Sequence, residues 1–257
     1  MPIEAPAAPA EKVIRPMKFA IVSDVHGNLE ALTAVFERIG PDDAVLCLGD
    51  IVGYGPNPNE CLALLRERAT ATVLGNHDVA AVDSHGLAYF NPNARAAIHW
   101  TQGVLDPDHV AWLDGLSYEV RTPDYLLVHG APVEYFAYIL DKAAAQRAFE
   151  ATDAPLIFVG HTHVADYYAL GEDGALAHAF CQRGGRIDLE PGVRYLVNVG
   201  SVGQPRDLNP DASFVFYDPD ARTIVWERVP YAVARTQEKI GAAHLPDALA
   251  RRLGVGR

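Results

Sequence analysis

Five short apolar runs recur along the first two thirds of the chain, and each closes on glycine or a polar turn residue. They are Phe19-Ala20-Ile21-Val22-Ser23, Ala44-Val45-Leu46-Cys47-Leu48, Ala71-Thr72-Val73-Leu74, Tyr125-Leu126-Leu127-Val128 and Leu156-Ile157-Phe158-Val159. Continuous apolar runs of this length, bounded by turn signals, predict buried strands. Helical patterns fall between them. Met17–Ser23 reads as a strand and Asn28–Ile39 as a helix. The next strand spans 44–48, and Asn57-Pro58-Asn59-Glu60 then offers an N-cap, a first-turn proline and a capping-box glutamate. That combination opens a helix reaching about Arg68. Asn91-Pro92 and Asp106-Pro107 repeat the cap-then-proline signal, so residues 80–120 read as a helical insertion. A weakly apolar helix follows at 140–151. The pattern then changes to strands at 175–181, 194–199, 212–218 and 223–229, with Asp218-Pro219-Asp220 as one turn. Helices at 231–242 and 246–253 close the chain. Alternating β and α elements followed by consecutive strands predict a mixed sheet, or two packed sheets with helices outside.

Composition narrows this picture. With 257 residues, 49% of them hydrophobic, the chain can fill one large core or two small ones. The organisation expected is a disordered Pro- and Ala-rich tail over 1–16 and a single domain over 17–257, with 230–257 forming its C-terminal helices. The formal net charge of −12 argues against broad binding to nucleic acid or to an anionic membrane surface. Nucleic acid is further disfavoured because no basic or aromatic-rich tract is present. No apolar stretch reaches the roughly 18 residues a membrane span needs, and the tail lacks an apolar signal core. The cytoplasm is therefore the default compartment. A homo-oligomer is compatible with the composition. Cys47, Cys61 and Cys181 form neither a disulfide framework nor a zinc spacing. Cys47, inside a strand-like run, reads as a small buried hydrophobe.

The chemistry stands at the ends of the five runs: Asp24-Val25-His26-Gly27-Asn28, Gly49-Asp50, Gly75-Asn76-His77-Asp78, His129-Gly130 and Gly160-His161-Thr162-His163. Taken singly, each has an ordinary explanation. Asp50 caps a turn, Asn76 suits a left-handed turn, and a strand-end Asp or His forms hydrogen bonds. Jointly they offer imidazole, carboxylate and amide donors at carboxyl ends of strands, where distant residues converge in one cleft. That donor set favours Mn, Fe, Co, Ni or Zn over calcium but does not choose among them; Mn is the ion expected. Two divalent ions beside two carboxylates leave a local positive charge that attracts an anionic ester despite the acidic whole. His85, His99, His109, His178 and His244 lack strand-end placement and read as surface or helix residues.

The order D-x-H, G-D, G-N-H-D, H and G-H-x-H resembles the calcineurin-like metallophosphoesterase superfamily. The spacing agrees, with 26 positions from Asp24 to Asp50 and 26 more to Asn76. Gly49–Pro58, GDIVGYGPNP, and Asn198–Arg206, NVGSVGQPR, resemble its compact bacterial and archaeal phosphodiesterase-like branch. The resemblance covers about Met17 to Val229. It implies an α/β fold, a four-layer αββα sandwich of two mixed β-sheets flanked by helices. It implies two divalent metal ions, the first held by Asp24, His26 and His163, the second by Asn76, His129 and His161, with Asp50 bridging. His77 is then the catalytic histidine and Asp78 its orienting partner. The activity implied is hydrolysis of a small or medium phosphodiester or phosphomonoester by a metal-activated hydroxide. Alternatives are a protein phosphatase, a dinucleoside-polyphosphate hydrolase, or a non-catalytic scaffold of the same fold. Substrate contact is expected from Tyr54, Asn57 and Arg206. An N-cap role for Asn57 and an Arg206–Asp207 salt bridge are the competing explanations.

Overall fold

A computed structural model describes residues 18–257, so the tail expected over 1–16 lies outside the described residues. The chain alternates β1 (Phe19–Val22), α1 (Leu29–Phe36), β2 (Ala44–Cys47), α2 (Pro58–Arg68) and β3 (Ala69–Thr72). A helical insertion follows: α3 (Asn76–Asp83), α4 (Pro92–Val104) and α5 (Pro107–Asp114), closed by β4 (Glu119–Arg121). β5 (Tyr125–Val128), α6 (Lys142–Glu150) and β6 (Leu156–Val159) resume the alternation. Six strands then run consecutively: β7 (Ala165–Leu170), β8 (Leu176–Phe180), β9 (Gly185–Asp188), β10 (Arg194–Val199), β11 (Ala212–Asp218) and β12 (Thr223–Val229). The helices α7 (Val233–Ala242) and α8 (Asp247–Leu253) end the chain.

The strands form two six-stranded mixed sheets, ordered β3-β2-β1-β11-β12-β9 and β4-β5-β6-β10-β7-β8. β1, β2 and β3 run parallel, as do β5, β6 and β10, while the remaining pairings are antiparallel. Alternate residues of the central strands explain the layering. In β1, Ile21 faces the other sheet, where Phe158 and Val197 are buried with it, and Trp226 of its own sheet joins them. Ala20 and Val22 turn outward onto α1 and α2. In β6, Phe158 enters the inter-sheet core, whereas Ile157 and Val159 pack with Ala145 and Phe149 of α6. Both faces are buried, which is why these strands read as unbroken apolar runs. The result is the expected four-layer αββα sandwich. Each large apolar side chain so buried contributes roughly 1.5–3 kcal/mol, and the register it enforces also sets the site. A one-residue slip of β1 would exchange its faces and carry Asp24 out of position.

Some elements differ from the sequence pattern. β3 starts at Ala69, immediately after α2, and Val73 only bridges to Ser117. β3 is an edge strand, and its first residues, Ala69 and Thr70, lie before the apolar run that begins at Ala71. β4, β7 and β9 had no turn-bounded apolar run and are fixed by pairing with neighbours. Asn91 caps α4 by accepting from the Ala94 amide at 3.0 Å. Asn57 precedes α2 but makes no cap bond. Among the described residues, no helix is long and apolar enough to cross a membrane.

Candidate metal centre

The ends of β1, β2, β5 and β6 meet at one edge of the sandwich, and the backbone there is strained. Asp24, His26, Asp50, Tyr54, His161 and His163 all have φ between 48° and 66°, in the left-handed region. Each such non-glycine residue costs on the order of 1–3 kcal/mol and persists only where its surroundings impose it. Here the imposed turns aim side chains inward from successive loops. Gly49, at φ 89°, makes the approach possible, because a Cβ there would collide with the Gly75 amide. The loops are tied together: the Asp24 amide donates to Gly49 O at 3.0 Å and the His26 amide to Asp50 O at 2.9 Å.

Two groups of buried side chains result. Asp24, His26, Asp50 and His163 form one, and Asp50, His129 and His161 form the other, each with its ligand-type atoms mutually within 4.8 Å. Main-chain carbonyls orient the rings. His26 Nδ1 lies 3.0 Å from Val52 O, His129 Nδ1 2.8 Å from Leu48 O, and His163 Nδ1 2.6 Å from Gln204 O. An Nδ1–H donated to a carbonyl leaves Nε2 as a lone-pair acceptor in a neutral imidazole. His26 Nε2 and His163 Nε2 nevertheless face each other at 3.2 Å. His129 Nε2 faces His161 Nδ1 at 3.0 Å. With neutral rings, the first pair holds two acceptors and no proton between them, an arrangement that a shared cation stabilises. Asp24 Oδ1, Asn76 Oδ1 and His161 Nε2 are buried without hydrogen-bond partners. Buried polar atoms are otherwise nearly always satisfied. The donor set therefore fits divalent metal.

Protonation states favour neutral ligands at three of the four histidines, and His129 is the exception. Burial lowers the His26 and His163 pKa values, Arg206 adding to the effect at His163. Burial and His129 lower His161 to about 3. At His129 burial also disfavours the charged form, but the Asp50 carboxylate prevails and raises the pKa to about 9. Asp24 and Asp50 resist their own burial because surrounding histidines hold both carboxylates below the usual range.

Residues 76–78 open α3 and point in three directions. Asn76 Oδ1 is buried and unpaired, and Asn76, His77 and His161 line one cleft. The His77 ring packs at centroid distances of 4.7 Å from His26, 4.4 Å from Tyr54 and 4.7 Å from Phe90. Its amide donates to Asp50 Oδ1 at 2.8 Å. Burial lowers its pKa to about 4, partly opposed by Asp50. The expected contact between Asp78 and the His77 imidazole is not made. Asp78 Oδ1 accepts from the Ile51 and Val52 amides at 2.9 and 3.1 Å, and Oδ2 from the Gly75 amide at 3.1 Å. Its position in the first turn of α3 fits it for these amides, so it fastens the β2 loop to the helix start. Burial and Asp50 push its pKa up to about 7 against the pull of those donors. Removing the carboxylate in Asp78→Ala strands three buried amides, each costing about 1–3 kcal/mol. A loss of several degrees or more in thermal midpoint is expected, measured by circular dichroism.

The cleft above the centre has a volume of about 420 Å³. Tyr54, Tyr89, Phe90, Phe136 and Tyr138 supply aromatic walls, and Tyr138 stacks on His161 at 3.9 Å. Apart from Tyr54, these rings were not singled out from sequence. Their signals were the aromatic cluster Tyr135-Phe136-Ala137-Tyr138 shortly after His129 and the Tyr89-Phe90 pair before a helix start. Of the three expected substrate residues, Tyr54 lines the cleft. Asn57 does not: its Oδ1 accepts from Lys239 Nζ at 2.9 Å and its Nδ2 donates to Glu60 Oε1 at 2.8 Å. It links α2 to α7. Arg206 does not pair with Asp207, which Arg228 engages. Its main-chain N instead donates to His163 O at 3.0 Å, and its guanidinium carbon lies 5.8 Å from the Tyr54 ring centre.

His85 lines the cleft, whereas His99 contacts Gln102 within the insertion and His109 contacts Asn59 of α2. None of the three belongs to the two ligand groups. The triple variant His85→Ala/His99→Ala/His109→Ala is expected to keep wild-type metal content, read by elemental analysis. Loss of metal from it would mean the insertion supplies a ligand.

The calcineurin-like phosphoesterase family model matches residues 17–165. The chain belongs to this family. An uncharacterized protein of Methanocaldococcus jannaschii is 38% identical over 247 residues, covering 93% of this chain and 98% of that one. The crystal structure of a metallophosphoesterase from Sphaerobacter thermophilus superposes with TM-score 0.84 at 42% identity, covering 95% and 100% of the two chains. A hypothetical protein of Pyrococcus horikoshii, at 20% identity, has TM-score 0.75 over 94% of this chain and 99% of its own, a likeness of fold alone.

Proposed function

We propose that the protein hydrolyses a phosphodiester or phosphomonoester with two divalent metal ions held in this centre. The observation that carries the reading is the pair of ligand groups that share Asp50, with histidine ring nitrogens facing each other in each. Asp24, His26 and His163 hold the first ion, and Asn76, His129 and His161 the second. Asp50 touches both. The bound ions supply Lewis acidity at the phosphoryl oxygens and a lowered pKa for the attacking water.

The chain's own groups supply the rest. Arg206 lends positive charge at the mouth of the centre, where it acts on His77 and His163. His77, a neutral imidazole at working pH, presents its N–H to the leaving oxygen. The aromatic cleft receives the ester group and excludes water around it. Its volume of about 420 Å³ suits a small or medium ester, which supports that substrate size over the surface of a folded phosphoprotein.

The test is a phosphoester screen on purified full-length protein with aryl diesters, aryl monoesters and their alkyl counterparts. Activity should vanish with chelator and return with Mn²⁺, and Zn²⁺, Fe²⁺, Co²⁺ and Ni²⁺ identify the preferred ion. Protein that binds two ions per chain and turns over no ester would overturn the enzymatic reading in favour of a scaffold.

A further inference from the structure

The segment Asn198–Arg206, NVGSVGQPR, leaves the end of β10 and runs against the end of β1, where Asp24 stands. The Val202 amide donates to Ser23 O at 3.0 Å and the Gly203 amide to Asp24 O at 2.9 Å. Glycine permits this approach, because a Cβ on Gly203 would collide with the Val25 carbonyl. Further along, Gln204 O accepts from His163 Nδ1 at 2.6 Å, and the Arg206 amide donates to His163 O at 3.0 Å. One short turn therefore holds the main chain of Asp24 and both the ring and the main chain of His163. These are two of the three residues assigned to the first ion alone.

A single hydroxyl joins the two halves of that turn. Ser201 is fully buried, and its Oγ donates to Asp24 O at 2.8 Å while accepting from the Gln204 amide at 2.8 Å. Its one proton is thus spent on a ligand residue, and its acceptor capacity on the residue whose carbonyl orients another ligand. Asn28 clamps the turn from outside. Its Nδ2 donates to Gly203 O at 2.8 Å, and its Oδ1 accepts from the Ala31 amide at 3.2 Å and from Thr236 Oγ1 at 3.0 Å, which ties the turn to α1 and α7. Asp24 and His163 have φ of 53° and 61°, conformations that last only where neighbours impose them. Asn198 acts more broadly: its Nδ2 donates to Gly160 O and Thr162 Oγ1, both at 2.9 Å, on either side of His161. Among the described residues, Ser201 makes no hydrogen bond to the segments that carry Asn76, His129 or His161.

We propose that Ser201 is a positioning residue for the first metal ion. Its hydroxyl fixes Asp24 relative to His163 by way of Gln204, and the residues of the second ion do not depend on it. This rests on the two-metal reading of the centre. It also gives the NVGSVGQPR segment a role distinct from ligation, since none of its residues belongs to either ligand group.

Titration of full-length, metal-free protein with Mn²⁺, followed through the electron paramagnetic resonance of the free ion, tests this without turnover. Ser201→Ala is expected to weaken one of the two binding events by about 10–100-fold, the usual cost of losing an outer partner of a ligand, and to leave the other close to its wild-type value. His26→Ala removes a first-ion ligand that Ser201 does not touch, so a single ion remains, and adding Ser201→Ala should not change its affinity. Ser213→Ala deletes another fully buried hydroxyl, one that donates to Val199 O at 2.9 Å, and should leave both affinities unchanged. Ser201→Cys keeps the shape with a weaker donor and acceptor. It should give a smaller loss of the same selectivity, which keeps the test open if the alanine variant fails to fold. Wild-type affinity for both ions in Ser201→Ala overturns the positioning role. Equal weakening of both ions, weakening of the ion that remains in His26→Ala, or the same loss in Ser213→Ala overturns it in favour of a general structural one. Failure of the metal reading is separately visible, as absence of Mn²⁺ uptake by the wild type.

Discussion

Asp50→Asn is expected to lower metal content from two ions per chain to one or none and to reduce phosphoester hydrolysis by at least ~10²-fold. Asp50 is 1% exposed and belongs to both ligand groups. Its Oδ2 lies 3.6 Å from His26 Nε2 and 3.3 Å from His129 Nε2, one histidine from each group. Asparagine preserves the shape and can still accept the His77 amide bond through Oδ1. It cannot supply the negative charge that attracts a cation among four buried imidazoles. Outer partners of metal ligands alone cost about 10–100-fold when removed, so a shared carboxylate should cost at least the upper part of that range. Asn76→Ala makes the contrast, since Asn76 is assigned to the second ion only and should leave the first largely bound. Elemental analysis of both variants, with rates at saturating Mn²⁺, measures the difference. Full double occupancy and wild-type rates in Asp50→Asn would exclude a bridging role.

His77→Asn is expected to slow an alkyl phosphoester by roughly 10²–10⁴-fold, the usual worth of proton assistance, while keeping both metals. His77 is 5% exposed and lines the cleft with Asn76 and His161; its Nδ1 is buried beside Gly53, which leaves Nε2 as the nitrogen to meet the leaving oxygen. It also lies outside both ligand groups. An alkoxide leaves poorly without a hydrogen-bond donor or proton, whereas a nitrophenolate leaves unaided. The defect should therefore be large for the alkyl ester and small for the nitrophenyl one. Loss of metal would make His77 a ligand. Equal slowing of both esters with metal retained would assign it to phosphate positioning. Asp78 is not expected to share this selectivity, because its oxygens hold main-chain amides rather than the His77 ring.

The centre was legible in the sequence because its donors come from side chains placed directly after apolar strands. Asp24, His26, Asp50, His129, His161 and His163 could be picked out from local order alone, and the structure brings these six together. What orients them was not legible. The acceptors for His26, His129 and His163 are carbonyls of Val52, Leu48 and Gln204, and every residue carries a carbonyl. Asn57 and Asp78 show the opposite error. Their types and positions suited a site, yet Lys239 from a distant helix and three nearby amides engage them.

For the fold, sequence by itself determined the doubly buried central strands, the proline-initiated helices and the strand-rich second half. Apolar runs and cap chemistry are local signals, and both faces of β1 and β6 are covered as those runs require. Tertiary structure alone decided the polar strands β4, β7 and β9 and the start of β3 at Ala69, whose residues are held by neighbours more than by their own pattern. It also decided that Arg206 stands apart from Asp207, that Arg252 returns from the far end of the chain to the Tyr54 ring, and that five aromatic residues enclose one cleft. Such juxtapositions depend on how layers pack residues that are far apart in the chain, and hydrophobic period along the chain holds no record of that distance.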